Sequence, residues 1–239
     1  MTSLFSKVIF RLFGIQIIHS QLGEDLILSL LLEGKKDGMY IDIGANHPKK
    51  FNNTYLLYKS GWHGINIEPN LKKIGAFKKK RARDINLAIG VGPKETSMKY
   101  YRFDEDTLNT FDYAFAEKNK NMGHKLIDTI DVPVKPLSTI FKNNIPSGKN
   151  VDVMTLDTEG YDMEVLKSND WNKYRPHFIV IETLEYKRSE LGQRYDDIFN
   201  PYMESIGYKP VANTVVNTIY QDTAARVLDI NVREYTPLK

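Results

Sequence analysis

Short apolar runs rich in β-branched residues recur along the chain and alternate with segments of helical spacing. The runs lie at 39–44, 63–69, 83–90, 151–157 and 177–183. Such runs, bounded by Gly, Pro, Asn or Asp, are typical of strands buried on both faces of a parallel sheet. Helical spacing is present at 21–33, 53–60, 70–80, 161–168 and 195–206. The pattern therefore predicts an α/β fold with a mostly parallel, doubly wound sheet.

Two stretches depart from this alternation. Residues 91–150 are too long for a simple crossover, and "SMKYYRF" and "TIDVPV" predict extra strands within an insertion. The insertion is rich in aromatic residues, which favours a substrate lid, although aromatic residues also pack any small subdomain. Residues 207–223 read as two strands, which predicts an antiparallel edge at the C-terminal end of the sheet.

The first 38 residues are predicted to form a helical segment packed on a single domain that spans residues 1–239. Lys7 and Arg11 interrupt the apolar character of the first 20 residues. The pattern matches neither a spanning helix nor a cleavable signal, so no stable membrane insertion is expected. Packing on the domain or on a second subunit is the main interpretation, which leaves a homo-oligomer open, and reversible contact with a membrane surface is the alternative.

Composition narrows the chemistry. The chain has 239 residues, of which 41% are hydrophobic and 26% charged, as in soluble globular proteins. It contains no cysteine, which excludes disulfides and thiolate chemistry and suits a cytoplasmic location. The net charge of +3 is too small to indicate nucleic acid binding, and the basic run at 72–83 is interpreted as a solvated helix face.

The first two predicted strands end in polar groups that suit a nucleotide-like cofactor. Asp42 and Gly44 begin the turn after the first strand, and Glu68 ends the second. A carboxylate at that position can accept hydrogen bonds from both ribose hydroxyls. Gly44 is followed by Ala45 and Asn46, so the G-x-G-x-x-G pattern of dinucleotide sites is missing. S-adenosylmethionine, which carries no phosphate, is favoured over a nicotinamide cofactor, and an ordinary turn without a ligand is the remaining alternative.

Acidic residues follow two later strands. Asp157 ends one strand, Glu159 lies in the turn after it, and Glu182 ends the next strand. Asp157 and Glu182 are placed to hold a magnesium ion that would orient substrate oxygens. His47, Asp157 and Glu159 are the candidate catalytic bases, with a solvent-facing turn residue as the alternative for His47.

Four blocks together resemble the FkbM-type methyltransferases. They are "SQLGED" at 20–25, "YIDIGANHPKKFNNTYLLYKSGWHGINIEPN" at 40–70, "NLAIG" at 86–90 and "LDTEGYDMEVLKS" at 156–168. The resemblance implies a Rossmann-like class I methyltransferase fold, with S-adenosylmethionine as the cofactor and O-methylation of sugars as the activity. The sequence departs from the commoner family pattern at His47 and Pro48, where a glycine is often found.

The resemblance also implies a set of cofactor-binding residues. Asp42, Gly44 and Asn46 would line the turn, Glu68 would bind the ribose, and Asp157 would lie beside the methionine end. The segment Asn86, Leu87 and Ala88 would lie near the adenine. The predicted set also includes Asn53, Thr54 and Gln21, although Gln21 is equally well explained as part of a helix start.

The sequence thus predicts an S-adenosylmethionine-dependent O-methyltransferase with a small-molecule acceptor. The expected acceptor is a hydroxyl of a sugar or nucleotide-activated sugar used in surface glycan or natural-product biosynthesis. Two alternatives stay open, namely a nicotinamide-dependent oxidoreductase on the same sheet and a non-catalytic module that binds the cofactor and a partner.

Overall fold

The computed structural model describes residues 17–32, 35–184 and 196–225. In chain order the elements are α1 (Glu24–Leu31), β1 (Met39–Ile43), α2 (Tyr55–Lys59), β2 (His63–Ile67), α3 (Leu71–Lys80), β3 (Ile85–Leu87), β4 (Gly90–Val91), β5 (Thr96–Phe103), a 3₁₀ helix (Asp106–Leu108), α4 (Tyr113–Asn121), β6 (Leu126–Lys135), α5 (Leu137–Asn144), β7 (Val153–Leu156), α6 (Asp162–Lys167), β8 (Phe178–Glu182), α7 (Asp196–Ser205), β9 (Tyr208–Asn213) and β10 (Asn217–Asp222).

Seven strands form the main sheet in the order β3-β2-β1-β7-β8-β10-β9. The first five are parallel, whereas β10 runs antiparallel to both β8 and β9. This arrangement confirms the predicted parallel sheet with an antiparallel C-terminal edge. Ile43 pairs with Ile67 on one side and with Leu156 on the other. The ends of β1, β2 and β7 therefore meet at one edge, where a ligand can contact all three.

Helices cover both faces of this sheet. Successive strand residues point to opposite faces, so each strand contributes to both cores. Ile41 and Ile43 face a core that includes residues of α5, α6 and α7. Tyr40 faces the opposite core with residues of α1 and α2. All five residues of β1 are buried, as the unbroken apolar pattern predicts for a central strand.

The predicted strand at 83–90 is wrong as a single element. Its first part, β3, pairs with β2 in the main sheet, whereas β4 pairs with β6 in a second sheet of order β4-β6-β5. Gly90 permits the close approach of Phe111 to β4, since a Cβ there would lie 2.5 Å from the ring of Phe111. At the other end of the insertion, α5 buries Leu137, Ile140 and Phe141 in the main core. The insertion proper therefore comprises β5, α4 and β6.

Helix α1 is shorter than the predicted 21–33. It begins after Gly23, whose φ of 94° cannot continue a helix, and it buries Leu28 in a cluster with Tyr40 and Trp62. Within the described ranges, no helix is long and apolar enough to cross a membrane. Residues 1–16 of the predicted N-terminal segment lie outside the described residues.

Candidate active site

A cavity lies at the carboxyl ends of β1, β2 and β7. The side nearest the main sheet is lined by Ile43, Gly44, Ile67, Glu68, Pro69, Asp157, Thr158 and Glu159. The opposite side consists of Ile89, Gly90, Val91, Tyr100, Asn109 and Phe111. The second sheet and its loop therefore cover the cavity.

Gly44 brings the backbone of the first turn into this cavity. Its φ is 76°, and a Cβ at this position would lie 1.7 Å from the carbonyl oxygen of Asp157. Its N–H donates to the carbonyl oxygen of Ile67 at 3.0 Å. Only glycine fits a turn held this closely between the tips of β2 and β7.

Glu68 is buried at the end of β2 and faces the same cavity. Its Oε2 accepts the backbone N–H of Asn46 at 3.0 Å, and its Oε1 accepts that of Asn70 at 2.9 Å. Burial raises the pKa of Glu68 to about 7, although the charge of Lys73 opposes the shift. Each oxygen keeps a lone pair beyond these bonds, so the carboxylate can accept two hydroxyl groups from a ligand.

Three carboxyl groups, those of Asp157, Glu159 and Glu182, form an acidic cluster, with oxygen atoms within 4.8 Å of one another. Asp157 is exposed, whereas Glu159 and Glu182 are half-buried. Partial desolvation and repulsion from neighbouring acids raise the pKa of all three carboxyl groups. Glu182 donates its retained proton to a hydrogen bond with Asp157, so Asp157 is the first of this pair to ionise.

The turn between β7 and α6 places this acidic cluster. Glu159 has a φ of 53°, and Gly160 a φ of 92°, so the chain reverses tightly after Asp157. Asp162 accepts hydrogen bonds from the backbone N–H of Thr158 at 2.9 Å and from its hydroxyl at 2.8 Å. Asp162 therefore stabilises the turn from the first position of α6.

Asp42 lies behind the turn. Its carboxylate accepts hydrogen bonds from Asn52 Nδ2 at 2.9 Å, Thr54 Oγ1 at 2.8 Å and Thr155 Oγ1 at 2.7 Å. Neither Asp42 nor Thr54 lines the cavity. Both hold the backbone of the turn in place, with Arg81 donating to Thr54 Oγ1 at 3.0 Å from the buried side.

Two residues of the turn also have local partners. Asn46 Oδ1 accepts a hydrogen bond from Lys73 Nζ at 2.7 Å, while its backbone N–H orients Glu68. His47 Nδ1 accepts the backbone N–H groups of Lys49 at 3.1 Å and Lys50 at 2.8 Å. Burial and the neighbouring lysine charges lower the pKa of His47, so the imidazole is neutral at physiological pH. Neither side chain lines the cavity.

The remaining predicted cofactor residues surround the site without lining it. Asn86 binds Asn66 and nearby carbonyl oxygens, and the carbonyl oxygen of Leu87 accepts the N–H of Glu68. Ala88 packs near α3. Asn53 is half-buried, and Gln21 is exposed. The structure thus brings Gly44, Glu68, Asp157 and Glu159 to the cavity, with Glu182 behind them.

Sequence reasoning missed several cavity residues. Tyr100 and Phe111 were indicated only as part of an aromatic-rich insertion, and Asn109 carries no signal of its own. Residues 86–88 were predicted to lie near the adenine, whereas Ile89 and Val91 are the residues of this segment's neighbourhood that line the cavity. Pro69 and Thr158 could have been found as the direct neighbours of predicted residues.

The strand order and a cavity at the ends of β1, β2 and β7 define a Rossmann-like class I methyltransferase fold. Residues 42–210 match the family profile described as "Methyltransferase FkbM domain". Since this match covers more than half of the chain, the protein belongs to the FkbM methyltransferase family. Membership supports methyl transfer from S-adenosylmethionine as the general class of activity. A search of curated proteins found no relative.

A search of solved structures found several matches at low identity. A candidate O-methyltransferase from Klebsiella pneumoniae is 9% identical, with 88% of this chain and 84% of that chain covered, at a TM-score of 0.43. The methyltransferase domain of METTL16 is 10% identical, with coverages of 92% and 78% and a TM-score of 0.43. A methyltransferase from Thiobacillus denitrificans, solved with S-adenosylhomocysteine, is 11% identical, with coverages of 89% and 73% and a TM-score of 0.34.

Proposed function

We propose that this protein transfers the methyl group of S-adenosylmethionine to a hydroxyl group of a sugar or nucleotide-activated sugar. The proposal depends mainly on one observation: Glu68 and Asp157 face the same cavity from the tips of β2 and β7. A carboxylate at the first position suits ribose, and acids at the second suit the positive charges of the methionine end.

The cavity offers a complementary surface to each part of the methyl donor. The ribose hydroxyls would donate to Glu68, and the adenine would pack among Pro69, Ile89 and Val91. The methionine end would extend past Gly44 towards Asp157. In this arrangement the positive sulfonium lies near the acidic cluster and lowers the pKa of its members.

The acidic cluster supplies the candidate bases. Methyl transfer needs the acceptor oxygen in line with the methyl group and a group that takes the hydroxyl proton. Partial desolvation and the neighbouring acids raise the pKa of Asp157 to about 6, which is close to the ideal for a base at neutral pH. Glu159 is the second candidate, because the charge of a bound sulfonium would favour its ionised form. His47 is disfavoured, since its Nδ1 is committed to the turn.

A divalent cation is the second part of the proposal. Asp157, Glu159 and Glu182 offer three hard oxygen ligands close enough to share one ion, which fits magnesium. A bound ion would polarise the acceptor hydroxyl and lower its pKa. Loss of turnover after chelation, restored by added magnesium, is the expected result. Unchanged turnover after exhaustive chelation would remove the cation from the proposal.

The reaction is tested with methyl-labelled S-adenosylmethionine and a panel of sugars and nucleotide-sugars. Glu159→Gln should lower kcat by about 100-fold or more if Glu159 is the base, with unchanged S-adenosylhomocysteine affinity. Asp157→Asn should weaken affinity as well, because Asp157 also faces the methionine end. The exposed Glu164→Gln in α6 is the matched control and should change neither quantity.

Two outcomes would contradict the proposal. Binding of S-adenosylhomocysteine without turnover on any acceptor would favour the non-catalytic module, and binding of a nicotinamide cofactor instead would favour the oxidoreductase.

The sugar acceptor rests on the family resemblance and on the aromatic wall formed by Tyr100 and Phe111. The cytoplasmic location and the homo-oligomer stay predictions.

A further inference from the structure

Charge is distributed unevenly over the chain. Residues 43–83 contain ten Lys or Arg residues and one acid, Glu68, whereas the whole chain is nearly balanced, with 33 basic and 30 acidic residues. Glu68 is buried, so this fully described stretch exposes no carboxylate. Its exposed cations are Lys49, Lys50, Lys59, Lys72, Lys78, Lys79, Lys80 and Arg83. This stretch of the chain is therefore strongly basic although the net charge of the protein is small.

Large apolar side chains are exposed within this basic surface. Phe51 is 76% exposed, and Ile17 and Ile18 are 46% and 43% exposed. The two segments that carry them lie side by side, because the N–H of Asn52, next to Phe51, donates to the carbonyl oxygen of His19 at 2.9 Å. We call Ile17, Ile18 and Phe51, with the flanking Lys49, Lys50 and Lys59, the apolar-basic patch. Burial lowers the pKa of His19, next to Ile18, and the charges of Lys59 and Lys49 lower it further, so both cations lie near this part of the surface.

Phe51 is unusual in its backbone as well. Its φ is 48°, a left-handed conformation in which a bulky aromatic residue is a rare and strained choice. The exposed ring contributes little packing that could offset this strain. Gly or Asn would suit the backbone better, so neither local conformation nor the core explains a phenylalanine here.

We propose that the apolar-basic patch docks this protein on an anionic lipid bilayer. Phe51, Ile17 and Ile18 enter the boundary between headgroups and acyl chains, and the surrounding lysines contact lipid phosphates. A bilayer surface matches both features, whereas nucleic acid would match the cations but leave the aliphatic side chains in water. The sequence before residue 17 continues the same character, with no acid before Glu24 and with Lys7 and Arg11 among apolar residues.

The test is sedimentation of the full chain with lipid vesicles. Vesicles with about one-third phosphatidylglycerol should bind the protein, pure phosphatidylcholine vesicles should not, and high salt should weaken binding. Lys49→Glu with Lys50→Glu should lower partition about 25-fold or more, since each lysine contributes about fivefold. The matched control is Lys142→Glu with Lys149→Glu, the same charge change at exposed lysines near the opposite ends of the strands, which should leave binding within about twofold.

Phe51→Gly separates docking from folding. Glycine adopts a φ of 48° without strain, so this variant should melt at the same temperature as the wild type or higher. It should nevertheless lose most vesicle binding, while the exposed Ile198→Ser in α7 should keep it. Equal binding to neutral and anionic vesicles, or no binding to either, would overturn the proposal. If the protein does not bind vesicles, two other results would also overturn the proposal. One is a dimer that Phe51→Gly dissociates, and the other is an oligonucleotide complex that depends on Lys49 and Lys50.

Discussion

The binding of adenosine-type ligands should weaken as the pH falls, because Glu68 must be ionised to accept two hydroxyl groups. Its pKa in the free protein is about 7. A suitable ligand is 5′-methylthioadenosine, which keeps the ribose hydroxyls and lacks the charged methionine end. Titration of the acidic cluster therefore has little influence on this measurement. The ligand favours the carboxylate and should lower the pKa of Glu68 in the complex, so binding releases a proton below pH 7.

The size of the effect follows from the pKa. Two pH units below it, about 1% of Glu68 is ionised, so Kd should rise by up to about 100-fold, or about 2.7 kcal/mol. Calorimetry from pH 8 to pH 5, in two buffers of different ionisation enthalpy, gives both Kd and the number of protons released. Glu68→Ala should bind weakly at every pH, and the exposed Glu204→Ala should behave like the wild type. A wild-type Kd that stays constant within about twofold across this range would refute the reasoning.

Three further predictions concern stability and can be read from urea unfolding. Gly44→Ala forces a Cβ to 1.7 Å from a carbonyl oxygen and should cost on the order of 3 kcal/mol, whereas Gly75→Ala, with open space in α3, should stabilise by about 1 kcal/mol. Arg81→Met should cost about 3–5 kcal/mol, because it removes the guanidinium that pairs with buried Asp84 at 2.8 Å; a cost under about 1 kcal/mol would contradict this. Glu182→Gln should stabilise the protein at pH 8 by on the order of 2 kcal/mol and have little effect at pH 4. The pKa of Glu182 is higher in the folded protein than in the unfolded chain. The native state therefore loses stability as the pH rises above the pKa of the unfolded chain, and glutamine, which does not ionise, removes that loss. Equal effects at both pH values would contradict it.

The residues at strand tips could be predicted from the sequence. Gly44, Glu68 and Asp157 each follow an apolar run, and the parallel topology brings the ends of such runs to one edge. The same rule placed Glu182 beside Asp157, where the two share a proton. Position along a strand was sufficient for these residues, because no other part of the fold is needed to bring them together.

Residues with partners far along the chain could not be predicted in the same way. Asp42 lies where the sequence pattern predicts a cofactor-binding residue, yet its carboxylate accepts hydrogen bonds from Asn52 and Thr155 behind the turn. Tyr100 and Phe111 reach the cavity because the second sheet folds over it, which depends on pairing between β5 and β6. Sequence spacing carries no information on either arrangement.

The central claim is that this cavity binds S-adenosylmethionine with Glu68 on the ribose. Its most direct test is calorimetric titration of the wild type, Glu68→Ala and Glu204→Ala with S-adenosylhomocysteine, alongside NADH. The wild type and Glu204→Ala should bind one equivalent with an affinity near −8 kcal/mol, Glu68→Ala should lose about 1.5–3 kcal/mol, and NADH should not bind. Absence of binding to the folded wild type, or an affinity that Glu68→Ala leaves unchanged, would contradict the claim.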